Sequence, residues 1–197
     1  MSDQAPPPQL GLDFGPEAKP IAPAPADGKV RRNVALFSPC GRYRYTLTRE
    51  LGGDRPVAIM GLNPSKATAD EDDPTIRKDI GFATRWGFGR ILKPNAHAYI
   101  ATDPDDMKRA AKAGIDVVGP DNDDLIRTTL GFILLSKGAF VVAWGNHITP
   151  ARQAAIARII RFSGVVPMCL GTNQNGTPKH ELYLPYTTPL VPWTPPA

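Results

Sequence analysis

The sequence predicts an α/β protein: a three-layer sandwich with a roughly four-stranded parallel sheet between helices and an added N-terminal edge strand. Three observations carry that expectation. Short apolar runs alternate with longer amphipathic segments from residue 57 onward. Three of those segments open on Asp73-Pro74, Asp103-Pro104 and Thr149-Pro150. In each pair a short polar side chain caps the helix and a proline suits its first turn. The apolar runs are brief, as strands buried on both faces of a parallel sheet are.

Residues 1–30 hold seven of the 22 prolines and show no helical or strand period. Such composition cannot offset its ordering entropy by burial, so it predicts a disordered tail, with a single domain over 31–197. From Arg42 to Arg49 the chain alternates aromatic, β-branched and basic residues, which predicts the edge strand. Val57 to Leu62 is the first buried strand. A helix runs from Asp73-Pro74 to Trp86-Gly87, with Ile76, Ile80, Phe82 and Ala83 on its apolar side. A second strand is expected over Ile91 to Ile100, and a polar helix from Asp103 to Ala113. Asp121 to Asp124 cap a third helix, whose Leu125, Leu130, Ile133 and Leu134 are assigned to the core. Ala139 to Trp144 is a strand, Thr149 to Phe162 a helix, and Val165 to Leu170 the last clear strand.

With 42% apolar and 21% charged residues the composition is that of a globular chain. No run reaches the ~18 apolar residues of a membrane span, and no basic-then-apolar leader stands at the start. Cys40 and Cys169 are far apart, without ligand spacing, and read as reduced thiols, so a cytoplasmic setting is expected. The net charge of +4 divides into −2 on residues 1–30 and +6 on the remainder, a balance compatible with a polyanionic partner. HExxH, CxxC, GxGxxG, GxxxxGK[ST] and GxSxG are all missing from the sequence, so neither a metal nor a cofactor is expected.

Ligands of parallel sheets lie at the carboxyl ends of the strands, and the residues expected there are small, polar and basic. Asn63, Pro64, Ser65 and an acidic run containing Asp72 follow the first strand and lead to Thr75 and Arg77. Asn95 and His97 end the second, and Trp144, Gly145 and His147 the third. Gly171, Thr172, Gly176, Lys179, His180 and Tyr183 follow the fourth. Plainer readings stand beside these. Asn63-Pro64 serves as a turn; Asp72, Asp73, Asp121 and Asn122 serve as helix caps. His97 sits inside a strand, His147 and His180 on the surface, and Trp86 and Trp144 in packing.

Six ordered blocks, FSPCGRYRYTLTR, MGLNPSKATADEDDPTIRK, RWGFG, VGPDNDDLI, AWGNH and LGTNQNGTPKHELYLP, resemble an uncharacterised bacterial and phage family of domains of unknown function, family 1643. The resemblance runs from about Phe37 to Trp193 and brings a fold without chemistry. The chain departs from the family's pattern at His180-Glu181-Leu182-Tyr183 and at Asn95-Ala96-His97. Gly61-Leu62-Asn63-Pro64-Ser65 is also similar to the loop with which the uracil-DNA glycosylase superfamily places a water beneath a flipped base, and Lys179-His180 stands where their His-containing loop lies.

That likeness implies a nucleobase-processing enzyme on DNA, with Asn63, Asp72 and His180 catalytic. Pro64, Ser65, Thr75, Arg77, Trp86, Asn95, Asp121, Asn122, Trp144, Gly145, His147, Gly171, Thr172, Gly176, Lys179 and Tyr183 would bind substrate, and Arg42 and Arg44 would hold the nucleic-acid backbone. The alternatives are an enzyme on free nucleotides or nucleosides, and a non-catalytic adaptor. In the tail, Gln9, Leu10, Leu12 and Phe14 resemble the peptide with which bacterial and phage proteins dock on the sliding clamp.

Overall fold

The computed structural model describes residues 33–195; the tail and its hexapeptide at residues 9–14 lie outside the described residues. Seven strands form one sheet: β1 (Val34–Phe37), β2 (Arg44–Glu50), β3 (Pro56–Met60), β4 (Arg90–Leu92), β5 (Ala139–Val142), β6 (Pro167–Cys169) and β7 (Val191–Pro192). Their order is β1-β2-β4-β3-β5-β6-β7. The central β4, β3, β5 and β6 run parallel, while β1, β2 and β7 pair antiparallel at the edges. Four α-helices accompany the sheet among the described residues: α1 (Pro74–Arg85), α2 (Pro104–Lys112), α3 (Asn122–Leu135) and α4 (Pro150–Ser163).

All five residues of β3 are buried, because helices cover both faces of the sheet. Alternation decides which face each side chain meets. Val57 and Ile59, with Ile91 and Val141, pack toward Ala83 on the α1 side. Ala58 and Met60, with Phe140 and Val142, pack against Ile126, Leu130 and Ile133 of α3 and Ile156 and Ile160 of α4. These two clusters are the cores of a three-layer arrangement. Each buried Val, Ile or Phe contributes roughly 1.5–3 kcal/mol.

The helix starts form as the sequence predicts. Asp73 accepts from the Ile76 amide at 2.8 Å and Thr149 from the Arg152 amide at 3.2 Å, each followed by proline. Four expectations need correction. The sheet is seven-stranded, and β2 lies one strand in from the edge because β1 pairs outside it. Strand β4 stops at Leu92; Lys93 is buried at its end, and Pro94 has no N–H to continue a ladder. The segment beyond it is held instead by bonds from the Ala96 and His97 amides to the carbonyls of Gly61 and Leu62. Asp121 occupies the N-cap position of α3, but its carboxylate accepts from the Tyr45 hydroxyl at 2.9 Å and caps nothing. Leu134 is 53% exposed and not core.

No helix among the described residues is long and apolar enough to cross a membrane. Because β3, β4, β5 and β6 are parallel, the loops after Met60, Leu92, Val142 and Cys169 emerge at one end. Between β3 and β5 the order of connections reverses, and a crevice opens there.

Candidate functional site

A cavity of about 560 Å³ fills that crevice. The loop after β3 supplies Gly61, Asn63 and Ser65, and the first turn of α1 supplies Thr75. Lys93 and Asn95 come from the end of β4, and Trp144, Gly145, Asn146 and His147 from the end of β5. Lys179, His180 and Tyr183 arrive from the segment after β6, and Arg44 from the start of β2. Asn63 and His180, 117 positions apart by their numbers, thus face one space.

Asn63 is held by its amide nitrogen. Nδ2 donates to Ala101 O at 2.7 Å and to Pro64 O at 3.1 Å, which uses both of its hydrogens. The carbonyl Oδ1 is left as the group offered to the cavity, an acceptor only. His180 is fixed from the segment after β6. The Leu182 amide donates to its Nδ1 at 3.2 Å, closer than Glu181 Oε2 at 3.4 Å from the same nitrogen, and an Nδ1 that accepts this bond leaves the proton of the neutral ring on Nε2. Burial holds its pKa below the ordinary histidine value and Lys93 adds to that, against the opposing pull of Glu181. Gly145, beside His180, adopts a left-handed φ of +69° that a residue with a Cβ rarely takes.

Beneath the cavity lies a buried charge cluster. Lys93 Nζ is 2.5 Å from Glu181 Oε1 and 2.9 Å from Asp79 Oδ2. Burial works against the charge on Lys93, but the two carboxylates outweigh it and raise its pKa. The carboxylates are pushed apart. Burial, with Glu181 nearby, drives Asp79 well above the usual range, while Lys93 outweighs burial at Glu181 and lowers it. The contact to Asp79 lacks hydrogen-bond geometry, whereas that to Glu181 is a full bond. The unit is therefore an ionised Lys93–Glu181 pair beside an Asp79 that favours its protonated form. Gly61 roofs it: a Cβ there would lie 2.9 Å from Asn95 Oδ1 and 3.3 Å from Lys93 Cε.

Arg44 is 2% exposed and lines the same cavity. Its Nη1 donates to Ala67 O, Nε has no partner, and no carboxylate pairs with it among the described residues. Burial lowers its pKa to about 10, only partly offset by Asp73. Asn95 presents a buried Nδ2 that also lacks a partner.

Several expected site residues are placed elsewhere. Asp72 does not line the cavity; its carboxylate pairs with Arg49 Nε at 2.7 Å and holds the acidic loop to β2. Arg77 turns back to the carbonyl of Asp72. Trp86 stacks on Phe82 at 5.0 Å on the α1 side of the sheet. Asp121 is held by Tyr45, and Asn122 is buried, donating to the carbonyls of Asn95 and Ala96. Pro64 is buried behind Asn63, accepting from the Ala101 amide. Gly171, Thr172 and Gly176 shape the loop that leads to Lys179 and stay outside the lining. Arg42 is exposed beside Cys40, whose thiol pKa falls to about 7 chiefly through its bond with Ser38. Trp144 lines the cavity but is locked by Gln153 Oε1 at 3.1 Å and by the Trp193 ring set perpendicular to it, which makes it a wall.

Sequence reasoning missed Lys93, Asp79 and Glu181. One signal was present: Asp79 lies three residues after Ile76 and four before Ala83, on the apolar side of α1.

The fold and this site define a three-layer α/β protein with a cavity at its strand ends whose largely apolar wall carries a few polar and cationic groups. The chain belongs to the family described as Protein of unknown function (DUF1643), whose model matches residues 44–182. No curated protein and no solved structure matches it. The matched span holds Asn63, Lys93, His180 and Glu181; residues 37–43 and 183–193, expected to share the family's pattern, fall outside it.

Proposed function

We propose that this protein is a nucleobase-processing enzyme, acting by glycosidic cleavage or by modification of a base substituent. The observation that carries the reading is the pairing across one cavity of a fixed acceptor, Asn63 Oδ1, with a fixed donor, His180 Nε2–H. A base edge offers donors and acceptors side by side, and a neutral amide and neutral imidazole can match both. Asn63 would accept from a ring N–H, an exocyclic amine or an attacking water. His180 would donate to a base carbonyl or to an oxygen on which charge develops, preorganised by its backbone bond. Lys93 supplies positive potential from the floor without being free to act as a nucleophile, since Glu181 holds its charge.

The likeness of Gly61–Ser65 to a glycosylase loop supports a base carried on DNA and extruded from its stack, at a cost of a few kcal/mol. The clamp-like hexapeptide at residues 9–14 would then bring the enzyme to newly copied DNA. A second reading, a free nucleotide, is favoured by the burial of Arg44 inside the cavity instead of on a surface groove.

Incubation with varied DNAs and with free nucleotides, followed by mass spectrometry of the nucleosides, tests the proposal. A base released or altered by the wild type and not by Asn63→Ala is expected. Unchanged nucleosides in every arm would leave a binding adaptor instead. Salt separates the two carriers, because phosphate contacts along DNA give a steep loss of affinity with ionic strength and a small substrate gives a shallow one.

A further inference from the structure

We propose that the cavity contains a subsite for a terminal phosphate, formed by Arg44 together with Ser65 and Thr75 at the amino end of α1. It deepens the nucleobase reading of the same cavity and rests on it for the identity of the group attached to the phosphate.

Three features converge. The first is the guanidinium of Arg44, 2% exposed in the cavity wall with one of its groups spent on Ala67 O and no carboxylate bonded to it among the described residues. A buried cation without a counter-ion is costly, and an anion in the cavity removes the cost. The second is the first turn of α1. Pro74 has no N–H, the Ile76 amide is taken by Asp73 Oδ1 and the Arg77 amide by Asp73 O. Thr75 is left as the residue whose N–H has no partner among the described residues, and it lines the cavity. A helix N-terminus with an open amide favours an anion. Third, the hydroxyls of Ser65 and Thr75 make no hydrogen bond among the described residues and line the same wall.

Asp73 is the one carboxylate among the lining residues. Its Oδ1 is committed to the α1 cap, and Arg44 and Lys179 outnumber it, the charge of Lys93 being matched by Glu181.

A guanidinium fork, an amide and two hydroxyls suit the three oxygens of a phosphomonoester. An internal phosphodiester has only two non-bridging oxygens to offer such a set, one fewer than a terminal phosphate. The substrate implied is a nucleoside 5′-monophosphate or a 5′-phosphorylated strand end.

Calorimetry on the full chain, with the four deoxynucleosides, their 5′-monophosphates, inorganic phosphate and an oligonucleotide lacking a 5′-phosphate, tests the subsite. At least one monophosphate should bind about tenfold or more tightly than its nucleoside. Arg44→Gln should close that gap, and Thr75→Val, which keeps the buried guanidinium and so preserves the fold if Arg44→Gln does not, should narrow it by about threefold. Nucleosides binding as well as their monophosphates would overturn the subsite and leave the nucleobase reading standing. Inorganic phosphate bound and lost in Arg44→Gln, with no nucleoside or monophosphate bound, would keep the subsite and overturn the nucleobase reading. A gap unchanged in both variants, a preference for the oligonucleotide, or no binding of any probe would overturn the subsite.

Discussion

Lys93 and Glu181, 88 positions apart in the chain, meet with Nζ 2.5 Å from Oε1 in a site where both side chains are buried. This bond joins the end of β4 to the segment after β6 and so connects the cavity floor to the neighbour of His180. Breaking a buried pair from one side leaves an uncompensated charge. Lys93→Met is therefore expected to lower unfolding free energy by about 3–5 kcal/mol in urea titrations. Lys93→Met with Glu181→Gln should recover part of that loss. A double variant no more stable than the single one would show that Glu181 does not depend on Lys93.

Asn63 has a structural and a chemical duty, and the two separate by measurement. Removing the bonds to Ala101 O and Pro64 O in Asn63→Ala should cost about 1–2 kcal/mol of stability. Loss of a preorganised contact to the reacting group should cost about 10²-fold or more in turnover. Full activity in a slightly destabilised Asn63→Ala protein would reduce the residue to a turn former.

The bond from the Leu182 amide to His180 Nδ1 fixes a tautomer. Nitrogen-15 NMR at neutral pH should show Nδ1 bare and Nε2 protonated, with the ring titrating below the ordinary histidine value because burial opposes its charge. His180→Gln, which retains an N–H donor, should bind a nucleobase ligand better than His180→Ala. Finding the proton on Nδ1 would contradict the assigned role.

His97 is 5% exposed, and burial lowers its pKa to about 4, with Arg152 adding to the shift and the Leu62 backbone and Asp116 opposing it. The folded protein then binds fewer protons than the unfolded chain below the unfolded value near 6.5, so stability falls as pH falls. Between pH 7 and 5 this one group removes on the order of 2 kcal/mol. Asp79, with its raised pKa, contributes in the opposite sense as pH rises above its unfolded value. Comparing urea unfolding of the wild type and His97→Asn at the two pH values isolates the histidine; equal losses in both would exclude it.

Gly61 admits Asn95 Oδ1 to within 2.9 Å of where a Cβ would stand, with Lys93 Cε at 3.3 Å. Gly61→Ala should therefore destabilise the fold by about 1–3 kcal/mol and disturb the cavity floor. Calorimetric melting that matches the wild type would show that the floor has room to yield.

The helix starts and the buried strands β3 and β5 were legible in the sequence, because their causes are local. Asp73 and Thr149 cap the turns that directly follow them, and proline presets φ at the next position. The crowding of Asn63, His147 and His180 at the strand ends followed from strand–helix alternation, which forces parallel strands to release their loops on one side. Pairings over distance were not legible. Strand β1 has exposed apolar residues and no alternation, and exists because β2 offers it an edge. Pro94 ended β4 where an apolar pattern ran on. Asp72, one of four consecutive acids, was drawn by Arg49 away from the cavity, a choice no spacing rule contains. Lys93 and Arg44 look like ordinary surface cations until neighbours bury them, and burial is what gives one a carboxylate clamp and leaves the other without a counter-ion. Local chemistry thus set where the chain turns and what it brings to the strand ends. Desolvation and long-range charge pairing, which exist only in the packed molecule, decided which of those groups remain free to act.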